Sequence, residues 1–89
     1  MNAKPFTVSA PRPEYPYQAR RDHITGSGAV SLEVDPLTGS VINARMIEST
    51  GSSILDYSAI SAFQRWRFKN GTPSPVKVPF TFTMSGAQF

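Results

Sequence analysis

Apolar and polar residues alternate along Val76-Lys77-Val78-Pro79-Phe80-Thr81-Phe82-Thr83-Met84. This period of two is typical of a β-strand with one buried face. Pro79 lies on the polar face, and a proline is tolerated inside a strand where its missing N–H does not face a neighbouring strand. The stretch is therefore predicted to be an edge strand, which offers unpaired backbone groups to an extended peptide from another protein.

Length and composition indicate one small domain. The chain has 89 residues, of which 39% are hydrophobic and 11% aromatic, and this is enough for a folded core. It has no cysteine, which excludes disulfides and thiolate metal sites. No apolar run approaches the roughly 18 residues needed to span a bilayer. The net charge of +3 predicts a solvated surface with a weak attraction for acidic partners.

A β-hairpin is predicted upstream of this strand. Alternating residues at 29–34 and 41–48 flank the segment Asp35-Pro36-Leu37-Thr38-Gly39. Within that segment proline presets φ and Gly39 is available for positive φ, so the segment is predicted to be a turn. Val41 and Ile42 are both apolar and interrupt the alternation, which predicts a bulge at the start of the second strand.

Two helices are predicted, one before and one after the hairpin in the sequence. Pro16 precedes good helix formers and favours a short helix that ends near Arg21. Ser53, with Asp56 three residues later, resembles a capping box at the start of a longer helix. The apolar stripe of this longer helix is expected to pack on the sheet, and it consists of Leu55, Ala59, Ala62, Phe63 and Trp66. The predicted order is helix, strand, strand, helix, strand.

The chain offers no constellation of catalytic or metal-binding residues. His23 is the only histidine, and it follows a predicted helix end where a solvated or capping role is expected. The acidic residues are scattered singly: Asp35 fits turn chemistry, Asp56 a helix start, and Glu33 a solvent-facing strand position. Neither a carboxylate pair nor metal-ligand spacing is present. The sequence therefore predicts a protein that is not an enzyme and has no metal and no cofactor.

The stretch Trp66-Arg67-Phe68-Lys69 interleaves aromatic and basic residues and admits two interpretations. In the favoured one, both rings anchor the core and both cations are exposed. In the alternative, the chain is a small basic α+β domain that binds nucleic acid, which requires the rings to be exposed on the sheet. A third interpretation is a purely structural dimerisation module, which would pair its edge strand with a second copy.

Seven short pieces between residues 13 and 84 resemble, in order, the C-terminal domain of TonB-family energy transducers. No single piece is specific, but their order is. They are Tyr15-Pro16 with Ala19, Gly28 before a strand, Gly39-x-Val41, Ser49-x-Gly51, Leu55-Asp56-x-x-Ala59, Trp66-Arg67-Phe68 and Val78-Pro79-x-x-Phe82.

The resemblance implies a periplasmic α+β domain with a three-stranded antiparallel sheet and two helices packed on one face. It implies a domain at residues 14–85, followed by a tail at residues 86–89. Residues 1–13 contain three prolines and no periodicity, and they are therefore predicted to be a flexible linker stub. In this family a membrane helix and a proline-rich linker tie the domain to the inner membrane, so the anchor is expected to lie outside this chain. Asn70 departs from the family, since proline is frequent at that place.

The resemblance also implies partners. The domain is expected to bind the N-terminal peptide of a TonB-dependent outer-membrane receptor by strand addition, and to couple inner-membrane energy to transport through a motor complex reached by the missing N-terminal helix. No nucleic acid is expected, and a homodimer through the edge strand is a possible assembly. The expected partner-binding residues are Tyr15, Pro16, Val76, Lys77, Val78, Pro79, Phe80, Thr81 and Phe82.

Overall fold

The computed structural model describes residues 7–89, in which two helices and six strands follow one another. The helices are α1 (Tyr17–Arg21) and α2 (Ser53–Phe63). The strands are β1 (Thr7–Ser9), β2 (Gly26–Val34), β3 (Val41–Glu48), β4 (Arg67–Phe68), β5 (Val76–Thr83) and β6 (Gly86–Gln88).

The fold is α+β, with two antiparallel sheets in the described residues. The larger sheet has the strand order β3-β2-β5-β6, and β1 pairs with β4 in a second sheet of two strands. The prediction of a single three-stranded sheet is therefore wrong in its strand count. The three additional strands are only two or three residues long, and so short a run carries no period-two signal in the sequence.

The hairpin of β2 and β3 and its turn are confirmed. The amide of Gly39 donates a hydrogen bond of 2.7 Å to the carbonyl of Asp35, and the amide of Leu37 donates one of 2.9 Å to Oδ1 of Asp35. Gly39 has φ of 78°, the positive value that its sequence position predicts. The turn is thus closed by backbone and side-chain acceptors of one aspartate.

The bulge predicted at the start of β3 is confirmed. Val34 lies opposite Val41, whereas the preceding Glu33 lies opposite Asn43. Ile42 is therefore an extra residue on β3 with no counterpart on β2. Its side chain is exposed.

A second bulge lies at the other end of the same strand. Ala29 lies opposite Glu48, but Val30 lies opposite Met46, so Ile47 is also extra. β3 is the outermost strand of the larger sheet, and each bulge interrupts its ladder and increases its local twist.

One core cluster joins the long helix to the sheet, as predicted. Trp66 lies beyond the end of α2 and is 2% exposed, with its ring 4.8 Å from that of Phe63 in an edge-on arrangement. Fully burying such rings contributes several kcal/mol each relative to alanine, roughly 3–5 by mutational measures. The core contains Leu55, Ala59, Phe63 and Trp66 together with Val30, Leu32, Val34, Val78, Phe80 and Phe82.

The capping box predicted at the start of α2 is wrong. Ser52, not Ser53, is the N-cap residue, and its side chain makes no capping hydrogen bond. Asp56 instead holds the preceding loop: it accepts hydrogen bonds from Ser49 Oγ at 2.5 Å, from Thr50 Oγ1 at 2.6 Å and from the Thr50 amide at 2.9 Å. The carboxylate thus secures the connection from β3 to α2 instead of the helix terminus itself.

The chain before α1 packs against the long helix. We call residues 10–16 the lead-in. The indole Nε1 of Trp66 donates a hydrogen bond of 2.9 Å to the carbonyl of Pro11, and Ser58 Oγ donates one to the carbonyl of Glu14. The sequence assigns residues 1–13 to a linker stub; residues 1–6 lie outside the described residues, and residues 7–9 form β1.

The C-terminal residues also belong to the folded structure. The sequence assigns residues 86–89 to a tail, whereas the structure places Gly86–Gln88 in β6 beside β5. Ala87 is buried, and the ring of Phe89 lies against the core. Both ends of the described chain are therefore held on the domain by specific contacts.

Candidate functional site at the edge of the sheet

β5 has a neighbouring strand on one side along its length and on the other side along only part of it. β2 pairs with residues 76–82 of β5. β6 covers the opposite side at Thr81, Phe82 and Thr83 alone. The prediction that the whole stretch is an edge strand is therefore wrong for its C-terminal part. Residues 76–80 have no strand on that side in the described part of the chain, and we call this side of them the open edge.

The β5–β6 hairpin decides which backbone groups face the open edge. Thr83 lies opposite Gly86, and Met84 and Ser85 form a two-residue loop between them. The residues that flank such a loop are hydrogen-bonded to each other, so the amide groups of Thr83 point towards β6. Because amide direction alternates along a strand, every second residue before Thr83 points its N–H and C=O the same way.

The open edge therefore offers a small and specific set of backbone groups. By this alternation Lys77 directs its N–H and C=O to the open edge, and Pro79 directs only a carbonyl there, having no N–H. Val76 and Val78 pair their amides with β2 instead. The place of Pro79 thus satisfies the rule that proline in a strand must not face a paired neighbour. Lys77 supplies the one backbone donor of the open edge.

The side chains of β5 divide between the core and the solvent. Four of the five apolar residues in the predicted alternation are buried, whereas Lys77 and Pro79 are exposed. The prediction that Met84 belongs to the buried face is wrong, because Met84 lies beyond the end of β5 and is exposed. Thr81 is half-buried, and its hydroxyl lies 3.0 Å from that of Ser27. A partner on this edge would meet main chain and the Lys77 ammonium, since the apolar set faces α2. The buried four are Val76, Val78, Phe80 and Phe82.

A shallow groove adjoins the end of the open edge. Its volume is about 470 Å³, and Pro79 and Phe80 line it together with Gln88 and Phe89 of the C-terminal segment. Ser27, Gly28 and Glu48 also line the groove, so it extends from the end of the open edge across β2 to the end of β3.

Tyr15, predicted to bind the partner, lies at the other end of β5. It is 8% exposed, its hydroxyl donates to the carbonyl of Ile24 at 2.6 Å, and its ring lies 5.7 Å from that of Phe82. At about 3.3 Å per residue, Phe82 is about 16 Å along the strand from Lys77. The structure therefore brings Tyr15 beside the part of β5 that β6 covers, and away from the open edge.

Pro16 lines a different groove, between the lead-in and α2. This groove has a volume of about 500 Å³ and is also lined by Glu14, Ile54, Tyr57 and Arg65. Tyr57 is 74% exposed. Sequence reasoning missed this groove; the available signal was a large aromatic residue on the polar side of the α2 stripe.

The condition for a nucleic-acid platform is not met. Trp66 and Phe68 are 2% and 1% exposed, so neither ring is available to stack on a base. Arg67 and Lys69 are exposed, as predicted. The favoured interpretation of this stretch, with rings in the core and cations in the solvent, is confirmed.

Other chemical possibilities are limited by the positions of the polar residues. His23 is exposed and adopts φ of 57° just after α1. Within residues 7–89, no three histidine, cysteine or acidic side chains lie close enough together to hold a metal ion. In the same part of the chain, neither helix has the length and apolar character that crossing a membrane requires.

Comparison with known proteins identifies relatives. The family described as Gram-negative bacterial TonB protein C-terminal matches residues 11–84. Protein TonB of Vibrio cholerae serotype O1 (strain ATCC 39315 / El Tor Inaba N16961) is 32% identical over 90 aligned positions, which cover 93% of this chain and 36% of that protein. The chain thus spans about a third of the length of this relative.

Proposed function

The chain belongs to the family of Gram-negative bacterial TonB C-terminal domains, and from this premise we propose that it is a non-enzymatic peptide-binding domain. Its ligand is the extended N-terminal peptide of a TonB-dependent outer-membrane receptor, which adds as a strand beside β5. The observation that carries the proposal is the open edge, where five residues of a core strand pair with β2 on one side and have no strand on the other side within residues 7–89.

Main-chain pairing explains the expected affinity. Each backbone hydrogen bond contributes about 0.5–1.5 kcal/mol net, and the open edge offers three groups: the N–H and C=O of Lys77 and the C=O of Pro79. Binding to the open edge alone is therefore weak and reversible. Such an attachment demands little of the peptide sequence and suits a transducer that must release its receptor.

Displacement of β6 would lengthen the site. β6 covers only Thr81, Phe82 and Thr83, and a peptide that replaced it would pair along the whole of β5. The added strand would then reach the end of β5 that Tyr15 contacts. In this arrangement the two parts of the expected site, Tyr15-Pro16 and residues 76–82, serve one peptide.

The cellular setting follows from the family. We place the domain in the periplasm, held at the inner membrane by a segment that is not part of this chain and joined through that segment to a motor complex. The relative extends well beyond the matched region, which supports this assignment. The domain itself would carry force from the inner membrane to the receptor peptide through its backbone contacts.

Lys77 provides the sharpest test. A synthetic receptor N-terminal peptide is titrated into isotope-labelled protein while backbone amide shifts are followed. Lys77→Pro removes the one N–H donor of the open edge without touching the β2 ladder, so peptide binding should fall about two- to tenfold, the loss of one backbone hydrogen bond. Lys77→Ala keeps that donor and removes the charge, so it should change mainly the salt dependence of binding.

The result can contradict the proposal in several ways. Equal binding by Lys77→Pro and wild-type protein would exclude strand addition at the open edge. Shifts confined to the loops at residues 26–28 or 35–39 would place the peptide elsewhere. Sedimentation velocity without peptide tests the alternative use of this edge: a concentration-dependent dimer that Lys77→Pro dissociates would assign the edge to a second copy of the chain.

A further inference from the structure

Phe89 packs on Trp66, the side chain that also holds the lead-in. The ring of Phe89 lies 4.9 Å from that of Trp66 and 6.3 Å from that of Phe63, edge-on in both pairs. Phe89 directly follows β6. The end of β6 is therefore anchored on Trp66, in addition to its backbone pairing with β5.

The same indole also holds the lead-in. Its Nε1 donates a hydrogen bond of 2.9 Å to the carbonyl of Pro11, a contact that spans 55 positions of sequence. Trp66 is 2% exposed, and Phe89 supplies part of the packing that covers its ring. One side chain thus contacts the two terminal segments of the described structure.

We propose that β6 and the lead-in are coupled through Trp66, so that detaching β6 from β5 loosens the hold of Trp66 on Pro11. When Phe89 leaves, one side of the indole loses its packing and the ring gains freedom to reorient. A hydrogen bond weakens steeply when its angle falls, so the Trp66–Pro11 bond is sensitive to such motion. The inference rests on the proposed function only for its natural trigger, the incoming receptor peptide.

β6 is held on β5 by fewer backbone pairs than β2 is, so β6 is the strand expected to detach. Only three residues of β6 pair with β5, whereas β2 pairs with seven residues of β5. Short terminal strands open at a small fraction of the global unfolding free energy. Occupancy of β5 would therefore be reported at the opposite end of the chain, where the lead-in enters the domain.

Hydrogen exchange measures the coupling without any peptide. In the full 89-residue chain, Phe89→Ala should raise the exchange rate of the Trp66 Nε1–H and of the β1 amides at least fivefold, the lower limit of typical coupling between sites. The amides of Val30 and Leu32 in β2 should change less than twofold. Gln88→Ala is the matched control, because that side chain is exposed, and it should leave all these rates within twofold.

Two outcomes overturn the inference. One is an indole exchange rate that Phe89→Ala leaves within twofold of wild type. The other is an equal rise at Val30 and Leu32, which would reveal a global loss of stability. If Phe89→Ala does not fold, Phe89→Leu retains apolar bulk and is judged by the same ratio between the indole and the β2 amides.

The receptor peptide supplies a separate arm. Adding it to wild-type protein should accelerate indole exchange in the same direction as Phe89→Ala. A peptide that shifts the β5 amides and accelerates exchange of the β6 amides but leaves the indole unchanged would overturn the coupling while the proposed function stands. A peptide that does not bind would overturn the proposed function, and the Phe89→Ala result would still decide the coupling.

Discussion

The amide of Phe68 donates a hydrogen bond of 2.8 Å to the carbonyl of Gly39, and the two backbones meet so closely that no side chain fits between them. A Cβ placed on Gly39 would lie 1.8 Å from the carbonyl oxygen of Phe68. This contact fastens the turn of the β2–β3 hairpin to β4. It joins two of the short sequence pieces that identify the family.

Gly39→Ala should therefore destabilise the domain strongly. The substitution forces an L residue into φ of 78° and also separates Gly39 from Phe68. We expect a loss of more than about 3 kcal/mol, measured by urea denaturation, because the backbone contact is broken in addition to the strain at φ. Gly71→Ala is the control, because Gly71 has φ of 79° but no atom within 4 Å of a new Cβ, and it should lose only about 1–2 kcal/mol, the cost of the left-handed conformation alone. Equal losses would show that the close approach is unimportant.

Trp66 should be the most sensitive position of the core. Trp66→Ala removes a buried ring and should lower the free energy of unfolding by about 3–5 kcal/mol. A domain this small has little stability to lose, so most of the molecules should then be unfolded. Trp66→Phe keeps a ring but leaves the Pro11 carbonyl without its donor, so a loss of about 1–3 kcal/mol is expected. Tyr57→Ala, on the exposed side of α2, should stay within about 0.5 kcal/mol. An unchanged melting curve for Trp66→Ala would refute the packing described here.

Asp56 should contribute stability that depends on pH. Partial burial opposes its ionisation, but hydrogen bonds from Ser49 and Thr50 outweigh this and hold the pKa of Asp56 below its ordinary value of 3.8. A group whose pKa is lower in the folded state stabilises that state above pH 3.8, the ordinary pKa. This contribution disappears as the pH falls through the lower pKa that Asp56 has in the folded protein. Asp56→Asn should therefore be less stable than wild type at neutral pH, and the difference in stability should shrink as the pH falls below 3.8.

Denaturant titrations at several pH values test this expectation. The loss in Asp56→Asn at neutral pH should be of order 1 kcal/mol, typical for a carboxylate that accepts backbone and hydroxyl donors. Glu33→Gln, at an exposed strand position, should show no comparable change. A deficit in Asp56→Asn that stays constant down to the acid limit would contradict the assigned role of the charge.

His23 should act on stability alone. Its φ of 57° lies at the end of α1, where its amide donates to the Arg20 carbonyl and the next amide, of Ile24, donates to the Ala19 carbonyl. This double contact is the Schellman arrangement, in which glycine is favoured. His23→Gly should therefore raise the free energy of unfolding by up to about 1 kcal/mol, whereas His23→Ala should not. A thermal melt in which Gly gives no gain over Ala would argue against strain at this residue.

Much of the architecture could be predicted from the sequence because its long elements are strongly periodic. The apolar stripe from Leu55 to Trp66 repeats over several helical turns, and the alternation from Val76 to Thr83 repeats over eight residues. The apolar residues of both patterns lie in the core, as expected. The strands β1, β4 and β6 could not be predicted in this way. Each has two or three residues and forms because tertiary contacts hold it, among them the pairing of Thr7 with Phe68.

The candidate site was predictable only in part for the same reason. Pro79 correctly indicates which side of β5 faces away from β2. A proline has no N–H to donate to a paired strand, so its nitrogen must lie on the side opposite β2. It carries no information about β6, whose pairing depends on the turn at Met84-Ser85 and on the distant anchor Phe89. The position of Tyr15 in the core likewise depends on contacts with Phe82 and Ile24 that no local pattern reveals.

The two bulges of β3 have a consequence for the behaviour of the protein at high concentration. β3 forms the far boundary of the larger sheet, and a long flat strand in that place would template the stacking of further chains. Ile42 and Ile47 break it into a regular stretch of four residues, Asn43 to Met46, with the charged Arg45 inside. Such interruptions disfavour fibril-like growth at this boundary. The opposite boundary of the sheet consists of β6 and the open edge of β5, which is where the proposed peptide would add.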